Sequence, residues 1–565
     1  MRNGADRRSG GQAVRALAAI LIAVALLGTD GPPVRLSARP PDFDVLILGG
    51  TLVDGSGAPA IRADIGITAD RIAAIGDLAG RSATRTVNAS GLVVSPGFID
   101  MLGWSQFTIL VDNRGVSKVT QGITTEITGE GWSPAPVNAN TLRDDSAQYA
   151  AWNLTVDWHD LDGYFRRLER SGTPFNLATF AGATTLRLYV MDQQHRPPNE
   201  AEYRQMEALL DTAMQQGALG LSTSLIYEPG SYASTAELVR LAKVAARHGG
   251  IYISHIRSEG DRIDRALDEA FTIGRQAHLP VEIWHLKLSG RANWGRMPTI
   301  LGRFERARAA GDSVGADSYP YIASATGLSQ VIPSWAREGG NAAMVRRLRD
   351  PAMRARIRRE VSGASNVIVL GVLDTTLRKY QGRRVSDIAR DERKSEIDVV
   401  MDILAQDGGG TGAAYFTMDE NDVRAAVAAP WVGVGSDFGA TAVDGPLGAE
   451  AVHPRAYGTF PRILGKYVRD EHVLSLEAAI HKMTGVPAER MRLIGRGLLR
   501  EGNFADVTVF DPATVSDQAT FEHPTQVASG IRYVLVNGRF TLDDGRLTDA
   551  RPGRALRGPG YRPGP

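Results

Sequence analysis

Cysteine is absent from this 565-residue chain. Its absence excludes disulfide bonds, cysteine nucleophiles, metal sites built on thiolates and lipid attachment through an N-terminal cysteine. Histidine and carboxylate side chains are the residues left to hold a metal ion.

A net excess of charge is also missing, because 64 basic residues face 63 acidic ones. The sequence therefore gives no electrostatic basis for binding nucleic acid or an anionic membrane. A hydrophobic content of 43% and a charged content of 22% are ordinary for a globular protein.

One apolar run stands out, and it lies at the N-terminus. Arg2, Arg7, Arg8 and Arg15 precede "ALAAILIAVALLG", a run of signal-peptide length rather than bilayer-spanning length. Residues 1–42 are therefore predicted to be a signal peptide with a flexible lead-in, which implies export to the periplasm or beyond. An uncleaved leader that anchors the chain in the membrane is the alternative.

Short β segments separated by turn residues lie at both ends of the remaining chain, over 43–95 and 495–550. We expect the two segments to form one small discontinuous β-sandwich. The final segment, 551–565, is Pro, Gly and Arg without apolar anchors, and is predicted to be disordered.

The middle of the chain, 96–494, repeats strand–helix units of about 30 residues, the spacing of a parallel barrel. The predicted fold is therefore a (β/α)₈ TIM-like barrel, interrupted by an insertion at about 325–420 of the kind that often covers a site. A doubly wound open sheet is the structural alternative. It is disfavoured because no Gly-rich nucleotide-binding turn follows a strand.

Three polar residues follow predicted strands in the middle segment. His255 and His285 end two consecutive β-rich runs, so their imidazoles would meet at neighbouring strand ends. Zinc suits such ligands. Asp437 in "GVGSDF" could shuttle a proton beside a metal-activated water. Its alternative role is to cap the next helix.

Several motifs together resemble one known family. They are "VSPGFID", "VTQGITTEITGEG", "SHIRSE", "WHLKLSG", "SYPY", "GVGSD", "HPRAYGTFPRILGKYV" and "GLLREGNFADVTVFDP". In this order they resemble the D-aminoacylase, or N-acyl-D-amino-acid deacylase, branch of the amidohydrolase superfamily. The resemblance implies a zinc-bearing barrel beside a β-sandwich that cleaves N-acyl groups from D-amino acids. The partner that it implies is therefore a small molecule, an N-acyl amino acid or a dipeptide-like substrate. It makes His255 and His285 zinc ligands and Asp437 the catalytic aspartate.

The sequence departs from this family at the first two barrel strands. Leu102 and Trp104 stand where the superfamily has His-x-His, and neither can coordinate a metal. The second-strand turn carries Glu130 where the branch has a cysteine ligand. We therefore expect one Zn²⁺ per chain, held by His255, His285 and Glu130. Glu130 could instead be a solvated loop acid.

Three further residues are candidates for binding substrate. Lys287 matches the family's His-x-Lys motif, and Arg257 and Tyr319 follow comparable strand ends. An N-acyl amino acid would need such groups to bind its carboxylate. Each could equally support its neighbours.

Two other functions remain open. A cyclic-amide hydrolase of the same superfamily would have no substrate carboxylate for Lys287 to bind. A barrel that has lost catalysis and serves as a binding protein would hold no stoichiometric zinc.

Overall fold

The computed structural model describes residues 41–361, 363–448 and 450–563. The apolar run of the predicted signal peptide lies outside the described residues. Residues Phe43–Pro565 form one compact unit. In the part of the chain that the structure describes, no helix combines the length and apolar character needed to cross a bilayer.

The chain begins with seven short strands. They are β1 (Phe43–Leu48), β2 (Thr51–Leu52), β3 (Ile61–Arg62), β4 (Asp64–Thr68), β5 (Arg71–Gly76), β6 (Ala83–Asn88) and β7 (Val93–Pro96). Four of them form a sheet in the order β5-β4-β1-β6. In this sheet β1 is antiparallel to β4 and parallel to β6.

Parallel strands fill the centre. They are β8 (Phe98–Asp100), β9 (Ile123–Thr128), β10 (Asn176–Thr179), β11 (Ala181–Gly182), β12 (Gly220–Ser224), β13 (Ile251–His255), β14 (Val281–Ile283), β15 (Val314–Ser318) and β19 (Val432–Val434). Three further strands, β16 (Ser324–Gly327), β17 (Val367–Val369) and β18 (Gly412–Tyr415), lie in the insertion between β15 and β19. One sheet has the order β10-β9-β8 and another β11-β12-β13-β14-β15-β19. Every residue of β9, β12, β13 and β15 is buried, as expected for parallel strands covered by helices.

The two central ladders do not join into one continuous sheet. Backbone hydrogen bonds nevertheless link them on both sides. Met101 N, just after β8, donates to Val434 O of β19 at 3.0 Å, and Leu219 N donates to Thr179 O at 3.0 Å. The carboxyl ends of the strands therefore lie on one side of the fold.

Helices follow most central strands, and further helices lie in the insertion and near the end of the chain. They are α1 (Ser105–Val111), α2 (Val116–Val119), α3 (Ala139–Leu142), α4 (Ser146–Ala151), α5 (Leu161–Ser171), α6 (Ala183–Met191), α7 (Glu200–Gln215), α8 (Thr235–Arg247), α9 (Ile263–Ala277), α10 (Met297–Ala309), α11 (Ser334–Arg337), α12 (Gly340–Arg349), α13 (Pro351–Glu360), α14 (Val385–Glu392), α15 (Glu396–Gln406), α16 (Glu420–Ala428), α17 (Arg455–Arg462), α18 (Leu476–Met483) and α19 (Gly485–Arg490). The helix α9 buries Ile263, Leu267 and Ala270, the 3–4 spacing of an amphipathic helix.

The segment between β15 and β19 departs from the strand–helix repeat. Its strands pair antiparallel in the order β16-β18-β17 and pack against α11–α15. This insertion has a hydrophobic core of its own, formed by residues such as Leu348, Val369 and Met401.

The chain returns to the first β layers at its end. Four strands, β20 (Val507–Phe510), β21 (Ile531–Val536), β22 (Arg539–Asp543) and β23 (Arg546–Leu547), join β7, β2 and β3 in a seven-stranded sheet. Val45 and Ile47 of β1 share a core with Val507 and Leu535 from this end of the chain. Strands from both ends of the chain therefore pack together.

The last described residues do not form a disordered tail. Leu556 N donates to Leu177 O at 2.8 Å, beside the central strands. Arg557 pairs with Asp162 of α5 at 2.8 Å. The prediction of disorder over 551–565 is therefore wrong for the described part, because backbone hydrogen bonds and ion pairs hold a segment that has few apolar side chains.

Candidate active site

Two imidazoles and one carboxylate converge at the carboxyl ends of the central strands. His255 ends β13, His285 lies two residues after the neighbouring β14, and Glu130 lies just after β9. Glu130 Oε1 is 2.7 Å from His255 Nδ1 and 3.2 Å from His285 Nε2. The imidazole ring centroids are 4.4 Å apart and the ring planes are nearly perpendicular. The structure thus brings together the three ligands that the sequence predicts.

The group fits a zinc ion. One ligand atom from each of Glu130, His255 and His285 lies within 4.8 Å of the other two. All three residues are buried, and His255 Nε2 has no hydrogen-bond partner among the described residues. Two imidazoles and a carboxylate are a donor set that zinc accepts, and three protein ligands leave a coordination position open for catalysis.

The charges around these ligands favour a cation. Burial would raise the pKa of Glu130, but the imidazoles of His285 and His255 lower the pKa to about 2. Burial and Lys287 would lower the pKa of His285, yet Glu259 and Glu130 raise the pKa to about 10. The buried carboxylates therefore stabilise positive charge where a metal ion would lie.

Glu259 is a member of the site that the sequence analysis missed. Its Oε1 lies 3.0 Å from His285 Nδ1, 2.6 Å from Lys287 Nζ and 3.8 Å from His255 Nε2. It therefore contacts the imidazoles through the ring nitrogens that do not face Glu130. A carboxylate in this position orients metal-binding histidines. The available signal was the acid four residues after His255 in "SHIRSEG".

Asp437 lies three residues after β19, with a hydrogen-bond or ion-pair partner at each carboxylate oxygen. Trp104 Nε1 donates to Oδ1 at 3.0 Å, and Arg455 Nη1 is 2.8 Å from Oδ2. The backbone N–H of Asp437 donates to Leu102 O at 2.7 Å. The φ of Asp437 is +51° and that of His285 is +37°, in the left-handed region that few residues other than glycine adopt, with Asn, Asp and His the most frequent of them.

The predicted substrate-binding residues separate into two groups. Lys287 lines the cavity beside the metal ligands. Tyr319 lies behind it, with its ring centroid 5.7 Å from Lys287 Nζ and 4.7 Å from the Arg455 guanidinium carbon. Tyr319 thus supports two cations rather than lining the cavity.

Arg257 lies outside this group, contrary to its prediction as a substrate-binding residue. Its guanidinium pairs with Glu269 of α9 at 2.9 Å and donates to the carbonyl oxygens of Ser231 and Ala233. These contacts direct the side chain towards the surrounding helices and loops. The predicted role of Arg257 is corrected to a structural one.

Arg455 is a second site residue that the sequence analysis missed, although its motif was recognised. It is 2% exposed, and its Nε has no hydrogen-bond partner within the described chain. Arg455 begins α17, where the preceding "HP" turn places it beside Asp437. A buried guanidinium with a free donor is suited to binding a carboxylate.

A cavity of about 860 Å³ is lined by the three candidate metal ligands and by Lys287, Asp437 and Arg455. Its volume is within the usual range for a small-molecule site. The insertion contributes residues such as Met344, Leu370 and Tyr415 to the wall, and Trp152 and Tyr149 add aromatic surface. The insertion therefore forms part of the cavity wall.

The fold and the site identify a metal-dependent hydrolase of the amidohydrolase class, and the family comparison agrees. A model described as "Amidohydrolase family" matches residues 85–542. The chain belongs to this family.

Relatives define the branch more closely. A D-aminoacylase of Alcaligenes xylosoxydans xylosoxydans is 39% identical over 527 residues, which cover 91% of this chain and 97% of the relative. An N-acyl-D-glutamate deacylase of the same organism is 38% identical over 519 residues, with coverage of 91% and 96%. The resemblance seen in the motifs is thus confirmed.

Solved structures give the same result. N-acyl-D-glutamate deacylase from Bordetella bronchiseptica, complexed with zinc and a phosphonate inhibitor, has a TM-score of 0.77 and 34% identity over 92% of this chain and 100% of that one. A D-aminoacylase described with a binuclear metal centre, one-metal activation and second-metal attenuation has a TM-score of 0.77 and 36% identity, with coverage of 91% and 100%. Dihydropyrimidinase from Brevibacillus agri, at a TM-score of 0.54 and 15% identity, supports the fold alone.

Replacing the carboxylate of Glu130 tests its role as a ligand. Glu130→Gln keeps the shape of the side chain but removes the charge that faces both imidazoles. We expect zinc affinity, measured by calorimetry on metal-stripped protein, to fall at least about tenfold, because a neutral amide is a weaker zinc ligand. Glu305→Gln, at an exposed position on α10, is the matched control. Unchanged zinc affinity in Glu130→Gln would show that Glu130 is not a zinc ligand.

Replacing Glu259 tests the orientation of the imidazoles. Glu259→Gln retains a hydrogen-bonding group but loses the carboxylate that contacts His285 Nδ1. Loss of such a partner costs about 10- to 100-fold in metal affinity. A competition assay with a chelator of known affinity measures this change. An affinity equal to that of Glu305→Gln would show that Glu259 does not orient the ligands.

Proposed function

We propose that this chain is a zinc-dependent amidohydrolase that uses water to cleave the amide bond of N-acyl-D-amino acids, with one zinc ion per chain. The observation that carries the proposal is the convergence of Glu130, His255 and His285 within 4.8 Å of one another. Asp437 and two cationic side chains lie in the same cavity. The preference for D-residues is supported by the names of the relatives.

Zinc and Asp437 divide the chemistry of amide hydrolysis. A zinc ion held by the three ligands would supply Lewis acidity, which lowers the pKa of water towards ~7 and polarises an amide carbonyl. Asp437 accepts the proton of the attacking water and then donates it to the amide nitrogen, so that the amine can leave. Each carboxylate oxygen has two lone pairs, so the contacts with Trp104 and Arg455 leave Asp437 able to accept this proton.

Lys287 and Arg455 are suited to binding the substrate carboxylate. Both line the cavity and both lie over the ring of Tyr319. Lys287 is paired with Glu259, whereas the buried Nε of Arg455 is without a hydrogen-bond partner in the described residues. An incoming carboxylate would satisfy this donor and add a charge-assisted hydrogen bond. A cyclic amide offers no such group.

The finer organisation of the protein is part of the same proposal. The central strands form a (β/α)₈ barrel, which is supported by the hydrogen bond from Met101 N to Val434 O between its first and last strands. The β layers from both chain ends form a small β-sandwich domain. Export through the N-terminal leader is supported by the arginines and the apolar run of residues 1–42.

Paired substrates test the proposed function directly. Purified protein containing zinc is assayed with the N-acetyl D- and L-forms of the same amino acids, and with a cyclic amide. We expect hydrolysis of the D-forms and about one zinc per chain by elemental analysis. Turnover of the cyclic amide alone would replace the proposal with a cyclic-amide hydrolase. Absence of both turnover and zinc would indicate a binding protein.

The proton-transfer role of Asp437 gives a separate prediction. Asp437→Asn keeps the size of the side chain but removes its ability to accept a proton, so kcat should fall about 10²- to 10⁴-fold while the zinc content stays the same. Asp470→Asn, at an exposed position, is the control. Wild-type kcat in Asp437→Asn would contradict the role.

A further inference from the structure

Leu102 and Trp104, which follow β8, stand at the family's His-x-His positions but cannot bind a metal. Leu102 is fully buried in an apolar cluster that includes Ile127 of β9 and Trp284, which directly follows β14. Trp104 lines the cavity that also contains Glu130 and His255. Leucine offers no ligand atom, and the indole N–H is a donor without a lone pair.

Trp104 is nevertheless connected to the reaction centre. Its Nε1–H donates to Asp437 Oδ1 at 3.0 Å, and its backbone N–H donates to Phe438 O at 3.2 Å. Arg455 Nη1 lies 2.8 Å from the other carboxylate oxygen of Asp437. Leu102 O accepts the backbone hydrogen bond of Asp437, whose φ is +51°. These contacts fix both the backbone and the carboxylate of Asp437.

A second cation at Asp437 would compete with these contacts. It would need an oxygen of Asp437, and it would share that oxygen with a hydrogen atom already directed at it, either the N–H of Trp104 at Oδ1 or the positively charged Arg455 at Oδ2. It would also need ligands from the end of β8, which presents Leu102 and Trp104. The guanidinium of Arg455, 2.8 Å from Asp437 Oδ2, would in addition repel a cation bound to the same carboxylate.

We propose that Trp104 is a positioning residue that holds Asp437 for proton transfer and excludes a second metal ion from the centre. The positioning half rests on the proposed function. The exclusion half concerns metal binding alone and needs no substrate. The chain would differ in this respect from the D-aminoacylase described with a binuclear centre and second-metal attenuation.

The zinc count of the wild-type chain tests exclusion. Metal-stripped protein is titrated with zinc alone by calorimetry, and the bound metal is counted by elemental analysis after removal of the excess. We expect one equivalent, and no fall in hydrolysis rate as zinc rises tenfold above that equivalent. Two bound equivalents would overturn exclusion whatever the substrate proves to be.

A histidine in place of the indole tests whether Trp104 is the cause. Trp104→His provides a nitrogen ligand beside Asp437 and removes the indole hydrogen bond to Oδ1. We expect measurable binding of a second zinc ion in the same titration, weaker than the first because Leu102 still offers no ligand and Arg455 still repels a cation, with the midpoint of thermal unfolding close to the wild-type value. A folded variant that still binds one equivalent would overturn the role of Trp104 in exclusion.

The positioning role is tested with Trp104→Phe, which keeps an aromatic ring and removes the N–H. We expect kcat to fall about 10- to 100-fold through misplacement of the proton carrier, with KM within about threefold and one zinc still bound. A packing defect alone would not confine the loss to kcat.

Trp335→Phe is the matched control, since Trp335 Nε1 donates to Glu360 at 2.7 Å in the insertion, outside the cavity lining. Removal of this indole–carboxylate hydrogen bond should leave kcat unchanged. Equal kcat in Trp104→Phe and the wild type would overturn the positioning role, provided the wild type hydrolyses an acyl amino acid. A wild-type protein that hydrolyses none would instead contradict the proposed function, and the zinc count would still decide exclusion.

Discussion

One carboxylate oxygen shared by two imidazoles is the interaction on which the rest of the site depends. Glu130 Oε1 contacts both His255 and His285, although the three residues lie at or just beyond the ends of three different central strands. Parallel strands present their carboxyl ends on one side, so residues far apart in sequence can meet there. Burying these groups is costly unless their charges are compensated. A bound cation would supply that compensation, and the surrounding carboxylates are placed to favour one.

Backbone strain is concentrated where the chemistry requires accurate positions. His285 and Asp437 both have positive φ, at a cost of about 1–3 kcal/mol each. Their neighbours hold these conformations. Asp317 accepts the backbone N–H of His285 at 3.0 Å, and Leu102 O accepts that of Asp437. These hydrogen bonds thus help to maintain backbone conformations that are uncommon outside glycine.

The strand-end pattern was sufficient to predict the central parallel strands and the convergence of His255 and His285, because strand periodicity fixes where each side chain lies. Contacts between loops were not predictable in this way. Glu259 was missed because a loop turns it back towards the imidazoles, and Arg257 was misplaced because its long side chain reaches Glu269 instead. The order of the C-terminal segment was missed for a similar reason, since the backbone hydrogen bonds that hold the segment cannot be predicted from its amino-acid composition.

The most direct test of the central claim is a crystal structure of the zinc-loaded protein with anomalous data collected at the zinc edge. The account predicts one anomalous peak per chain, within bonding distance of His255, His285 and Glu130 and with Trp104 still hydrogen-bonded to Asp437. A peak elsewhere in the fold, or a second peak between Trp104 and Asp437, would contradict it.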